Sequence, residues 1–405
     1  MRVSRRQVLT CAAALPGLLR GQRRWSDEVI ATATQDKTPN VGVVLSTSAE
    51  GRDAEGRYQR GLASTQPVDA DLSADFVEAW VQKAIEVGGS SSQDLLTTVA
   101  ADDWVVIKTD ISCCHGLGPS VEDGGAHQPY FPGTVTDLRI VRAVINFLMQ
   151  HKRGARITIA EGSEQWLPVE RSKSPVDGWT TDWGGAFDGL SYRKMVADFA
   201  KKHPDVRFEI ADLNFAETIE LPVPGKASAH LNPAGAHTIA KVIQQCDKLI
   251  SIAPLKTDTR NGVALTFGNY LGIAPGARYG FPKSGLDKLG SPEEVLVDLF
   301  SYHPADFSIL GGSFGVEGDG PAGPGAASVH YNVLIAGVRA VSVDAVGATL
   351  MGFKAEELPY LALAQKLGHG NPRIDDIWVR CTPMEKALHP FRKPTNWRST
   401  APPDR

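Results

Sequence analysis

Apolar residues follow two rhythms along this chain. Short apolar, β-branched runs recur as "VGVVLS" at 41–46, "DWVVIKTD" at 103–110, "ARITIAEG" at 155–162 and "VRFEIADL" at 206–213. They continue as "KLISIAP" at 248–254, "FSILGG" at 307–312 and "YNVLIAG" at 331–337. Most are apolar at successive positions, the habit of strands buried on both faces. Between them, apolar residues fall at helical spacing. "SADFVEAWVQKAIEVG" opens on Ser73 as a cap, and "TDLRIVRAVINFLMQHK" opens on Thr136 or Asp137, with Ile140, Val141, Val144 and Leu148 on one face. "LSYRKMVADFAKKH", "GAHTIAKVIQQC" and "SVDAVGATLMGF" read as helices on the same logic. Strand–helix alternation predicts an α/β fold, a mainly parallel sheet with helices on both faces.

The ends break this rhythm. Arg5 and Arg6 precede an apolar run, Cys11 to Leu19, too short for a membrane-spanning helix of about 20 residues. Ser4-Arg5-Arg6-x-Val8-Leu9 resembles a twin-arginine export signal, with "ATA" at 31–33 as its cleavage site. Residues 1–33 are therefore expected to be a signal peptide read by the twin-arginine export machinery, giving a periplasmic or secreted protein with no transmembrane segment. The α/β body is expected over 34–385, with 34–245 and 246–385 as two sub-lobes. The proline-rich stretch 386–405 is expected to be a loose tail.

Composition narrows the partners. The formal charge is −4 and the body carries no basic run, which argues against nucleic acid. No Cys-x-x-Cys occurs, so an iron–sulfur cluster or zinc site of that kind is not expected. Cys246 and Cys381 lie near core strands and read as buried thiols.

In parallel sheets, ligands collect at the carboxyl ends of strands. Those ends are charged here. One strand ends on Lys108, Thr109 and Asp110; another on Glu161, Gly162 and Ser163; a third runs into Lys256, Asp258, Arg260 and Asn261. Lys108, Lys256 and Arg260 fit either a cationic clamp for a carboxylate or phosphate or an ion-pair set with Asp110, Asp258 and Glu161 that ties the strand ends together. Asp110 and Asp258 fit an acid–base or cation-binding pair, the candidate catalytic groups. A glycine-rich stretch, "GGSFGVEGDGPAGPG" at 311–325, matches neither dinucleotide nor phosphate-loop spacing. It is expected to be a loop closing over the site, with Glu317 and Asp319 facing a cation or polar substrate. Two further loops carry candidates. "CCHGLGPSVEDGGAH" offers His115 and His127 to a divalent metal, and the 164–189 insert places Trp166, Trp179 and Trp183 as an aromatic plug.

The chain resembles the family known as "domain of unknown function 362". "VVIKTD", "TVTDLRIVRAVINFL", "ITIAEGS", "CDKLISIAPLKTDTRNGVALTFGNYLGIAPG" and "GVEGDGPAGPG…NVLIAGVRAVSVDAVGATLMGF" carry the resemblance across about 100–370. The resemblance adds Asn269, the asparagine of an Asn-x-x-Gly turn, to the site. Departures stand beside it. Proline and asparagine at the first strand tip are Thr109 and Asp110, and the histidine of Lys-Thr-His is Asp258. The lysine before the Asn-x-x-Gly asparagine is Gly268, and the acid heading the final loop is Gly311. The ferredoxin-like domain of some relatives is missing. The layout is also distantly similar to the N-terminal domain of the lactate racemase class, which binds a nickel-pincer nucleotide and 2-hydroxy acids. The histidine and lysine of that pattern are absent, so its cofactor is not carried over.

Two functions follow from this reading. One is an exported enzyme acting on a small anionic or polyhydroxylated substrate in a charged cleft at strand ends. The other is a non-catalytic ligand-binding protein that kept the frame.

Overall fold

The computed structural model describes residues 38–65, 72–90, 92–111, 132–163, 187, 190–321 and 323–398. Ten strands form one sheet: β1 (Asn40–Leu45), β2 (Trp104–Lys108), β3 (Arg156–Glu161), β4 (Arg207–Asp212), β5 (Lys248–Ala253), β6 (Lys256–Asp258), β7 (Gly262–Ala264), β8 (Phe307–Glu317), β9 (Ala327–Gly337) and β10 (Trp378–Cys381). Their order is β10-β1-β9-β8-β5-β2-β3-β4, with β6 pairing β8 and β7. On that main path only β9 runs antiparallel to its neighbours. Strands from both expected sub-lobes interleave in this sheet: β1 lies between β9 and β10, and β2 lies beside β5. Strands from 34–245 and 246–385 thus share the main sheet.

The near-continuous apolar runs arise because both faces are covered. Val105 and Ile107 enter one core while Val106 enters the other. Helices α1 (Ala74–Gly88), α2 (Leu138–Gln150) and α3 (Tyr192–Lys202) cover the first face. Helices α4 (Thr266–Asn269), α5 (Pro292–Tyr302), α6 (Ala340–Leu350) and α7 (Pro359–Lys366) cover the second. Ser73 caps α1 by accepting from Phe76 N, and Asp137 caps α2 by accepting from Arg139 N. Among the described residues, no helix is long and apolar enough to cross a membrane.

Three segments and one cysteine differ from the sequence reading. "GAHTIAKVIQQC" is not one helix: Ala236–Ala240 is a strand paired with Thr218–Pro222, and only Lys241–Gln245 is helical. His237 and Ile239 alternate inward there, a two-residue period that a single helix would not give. The expected 311–325 loop is shorter, confined to the turn between Glu317 and Ala327. β8 continues through its glycines to Glu317 and pairs with β9 as a long hairpin, irregular between Gly312 and Phe314. Gly311 has φ +107° and faces Val333 O so closely that a side chain would collide with it. The tail is fixed through residue 398. Phe391 is buried, Arg392 O accepts from Gly318 N, and Trp397 packs its ring on Gly262. Cys246 is a buried thiol, as expected, but Cys381 is exposed at the end of β10.

Candidate functional site

Strand order reverses between β2 and β5. From β2 the sheet grows through β3 and β4 in one direction, and β5 then adds on the other side. Such reversals leave a crevice at the carboxyl ends of the strands. Lys108 closes β2 there, 1% exposed, on the same face as Val106 and Ser251. Its ammonium donates to Glu161 Oε2 at 2.6 Å, Asn269 Oδ1 at 2.7 Å and Thr109 O at 2.6 Å. Three acceptors match the three donors of an ammonium, so the buried charge is fully bonded.

Asn269 reaches this point because α4 is a single turn that begins at the floor of the crevice. Asp344, in the middle of apolar α6, accepts from Thr266 N at 2.9 Å and Phe267 N at 3.2 Å. It thereby satisfies the open amides at the start of that turn. Asn269 then donates to Lys108 O and Ser251 Oγ. Burial pushes the Asp344 carboxyl up to about 6, against the pull of these donors.

Glu161 is the cleft carboxyl whose ionisation is moved toward neutral pH. Burial raises its carboxyl to about 7; Lys108 draws it back down and Asp110 pushes it up. Asp110 accepts from Lys256 Nζ at 2.7 Å, and both are almost wholly buried. Lys283 closes the far side, donating to Gly162 O at 2.6 Å and Leu271 O at 2.9 Å. Between these groups lies a small, half-open cleft with room for about one water molecule, lined by Asp110, Ile111, Glu161, Gly162, Gly268, Asn269, Leu271 and Gly272. Gly272 has to be glycine: a Cβ there would fall 2.4 Å from Lys108 Nζ and 2.8 Å from Glu161 Oε1. The arrangement can move a proton near neutral pH, since Glu161 titrates there and sits at a cavity wall.

Lys108, Asp110, Glu161, Lys256 and Asn269 are therefore brought together. The remaining candidates are not part of the cleft wall. Asp258 Oδ1 accepts from Arg260 N at 2.9 Å and Asn261 N at 2.7 Å, closing the β6–β7 turn, and burial raises its carboxyl. Arg260 pairs with Asp287 at the surface. Glu317 accepts from Arg392 N, and Asp319 accepts from Thr395 N and Oγ1. Both hairpin carboxylates thus hold down the C-terminal strap. His115, His127 and the three tryptophans of the insert lie outside the described residues. Among the described residues, one acidic group could gather around an ion: Asp53, Glu55 and Asp75. Arg57 already pairs with all three.

Lys283 and Asp344 escaped the sequence reading. Lys283 follows no strand, and nothing near it marks it. Asp344 did leave a signal, a lone acid inside the apolar run "AVSVDAVGATL".

Of the comparisons with known proteins, the family model alone shows a family. No curated protein matches. A crystal structure of a Thermotoga maritima protein, a target of the Northeast Structural Genomics Consortium, is similar with a TM-score of 0.31 and 12% identity. That match covers 64% of this chain and 54% of the other, so this chain spans about half of that protein's length. Residues 119–349, more than half of the chain, match a family model that takes in Glu161, Lys256, Asn269 and Asp344. The chain belongs to the family described as a domain of unknown function, DUF362.

Proposed function

We propose that this protein is an exported enzyme that acts on a small anionic or polyhydroxylated substrate in the cleft at the ends of β2 and β3. Glu161 is its proton-transferring group, Lys108 and Asn269 position that carboxyl, and Asp110, with Lys256 paired behind it, forms the second charged wall. The observation that carries this reading is a buried carboxyl at about 7 on the wall of a cleft. General acids and bases work best when their pKa lies near the working pH. Asp258, the other acid expected at the site, serves its turn instead.

The test is solvent deuterium uptake by a panel of small hydroxy acids and sugars, followed by NMR. Wild type should label a panel member with a rate that changes around pH 7, and Glu161→Gln should lose that rate. The full bonding of Lys108 favours a second reading, a non-catalytic binding protein in which the cluster gives shape alone. Binding without labelling, unchanged in Glu161→Gln, would establish that reading instead. Export rests on Arg5, Arg6 and the apolar run after them. Residues 1–33 fused to a reporter should carry it across the membrane, and replacing both arginines with lysine should stop it.

A further inference from the structure

The side chains a ligand would touch are not the ones that make this cluster look cationic. Three ammonium groups surround the cleft, yet among the described residues no lysine or arginine lines it. Lys108, Lys256 and Lys283 are 1%, 0% and 4% exposed. Lys108 spends its donors on Glu161, Asn269 and Thr109 O. Lys256 reaches toward Asp110, and Lys283 toward two backbone carbonyls. The wall itself presents two carboxylates, Asp110 and Glu161, whose ionised oxygens only accept. The Asn269 amide is turned away as well, its donors on Lys108 O and Ser251 Oγ. An incoming carboxylate or phosphate would face like charge at the wall. It would gain a lysine only by breaking a buried pair.

We infer that the cleft takes a hydrogen-bond donor without net negative charge, a small polyol or amino alcohol, rather than an organic acid or phosphate. This rests on the reading of the cleft as a ligand site, and it narrows that reading to its polyhydroxylated half. Donor hydroxyls or an ammonium would bond Asp110 and Glu161, while Ile111 and Leu271 offer apolar contact to the carbon chain. The three wall glycines, Gly162, Gly268 and Gly272, let such a molecule approach the backbone closely. The enclosed part of the cleft has room for about one water molecule, so a single hydroxyl or ammonium enters it while the rest of a short chain stays at the open mouth. Because Glu161 titrates at about 7, the preference for donors should sharpen above that pH.

The experiment is a thermal-shift titration of the full chain at pH 8 and constant ionic strength. The probes are glycerol, erythritol and ethanolamine on one side, and lactate and inorganic phosphate on the other. Wild type is expected to show a saturable rise of at least about 2 °C with a member of the first set and none with the second. Glu161→Gln and Asp110→Asn should each lower that affinity at least about tenfold. Saturable binding of lactate or phosphate that both variants weaken would overturn the donor class and keep the cleft as a site. Binding that neither variant changes, or no binding by either set, would overturn the site itself. Gly268→Lys gives an independent arm that leaves the two carboxylates in place. A Cβ there falls 2.9 Å from the Ala264 methyl, which has to give way, and because Gly268 lines the cleft the new ammonium is expected at its wall. It should abolish ethanolamine binding; retention of ethanolamine at wild-type affinity would overturn the inference.

Discussion

Two charged regions emerge from the carboxyl ends of the same sheet, and they use their charges differently. At the tips of β2 and β3, Lys108, Glu161, Lys256 and Asp110 are almost wholly buried and tightly paired beside a cleft. At the tip of β8, Glu317 and Asp319 remain partly in solvent and hold the C-terminal strap through Arg392 and Thr395. The residue types are alike; the dielectric around them is not. Buried charges have lost their hydration, so their partners decide both fold and ionisation. Half-exposed charges keep water as an alternative partner, so each contact is worth little.

The largest effect should come from Lys108→Met. It leaves Glu161, Asn269 and Thr109 O without their shared donor in a buried region. Stability at pH 8 should fall by about 3–5 kcal/mol in urea unfolding. Arg392→Met, its counterpart at the strap, should cost about 1 kcal/mol or less. Equal losses would break the contrast between the two regions.

The pH dependence of Glu161→Gln comes next. The folded carboxyl sits at about 7 against an ordinary 4.5, so the folded state holds a proton that the unfolded chain has released. The stability this group contributes is complete below pH 4.5 and is lost as pH rises through 7. Glutamine has no proton to lose. Between those limits the comparison should therefore move toward the variant by about 3 kcal/mol, measured as the difference in urea stability. Curves that stay parallel across this window would mean that Glu161 is solvated like the strap carboxylates.

How far these regions could be read from sequence follows from what each depends on. The β2 and β3 tips were legible because a parallel strand ends where its apolar run ends, and Lys108, Asp110 and Glu161 sit at that boundary. The helices with a clear face, such as Ile140, Val141, Val144 and Leu148 on α2, were legible for the same local reason. The 311–325 glycines misled because glycine serves two ends. It marks turns, yet at Gly311 it also lets two strands lie against each other where a side chain would strike Val333 O. Neighbouring residues do not reveal which use applies, since the partner strand arrives later in the chain. Lys283 was illegible for a related reason: its acceptors, Gly162 O and Leu271 O, are backbone atoms brought close only by the fold. The strap failed differently. Its proline-rich composition describes the segment alone, while its order comes from Asp319, Glu317 and the face of Gly262.

Asp319→Ala tests that last point with a moderate effect. It removes two hydrogen bonds to Thr395, of 2.7 and 2.9 Å, and should cost about 1–2 kcal/mol. Hydrogen exchange should speed up locally at residues 392–398 and stay slow at β2 and β3. Faster exchange at β2 as well would show that strap and cleft form one cooperative unit.

The smallest effect should belong to Arg260→Ala, and it separates the two regions most sharply. The sequence places Arg260 four residues past Lys256, a spacing that suits a clamp on one anion. The fold sends the two apart. Lys256 goes into the sheet against Asp110, while Arg260 follows the Asp258 turn outward and forks onto Asp287 at 3.0 and 3.2 Å. Both partners of that outer pair are nearly half exposed, at 45% and 46%. Removing the arginine should change stability by about 0.5 kcal/mol or less, and salt should erase the difference. It should leave the affinity of any cleft ligand unchanged, because the guanidinium is committed at the surface. A tenfold loss of affinity would put Arg260 back at the cleft mouth and make the ligand an anion after all, since a guanidinium there would have little to offer a polyol or an ammonium.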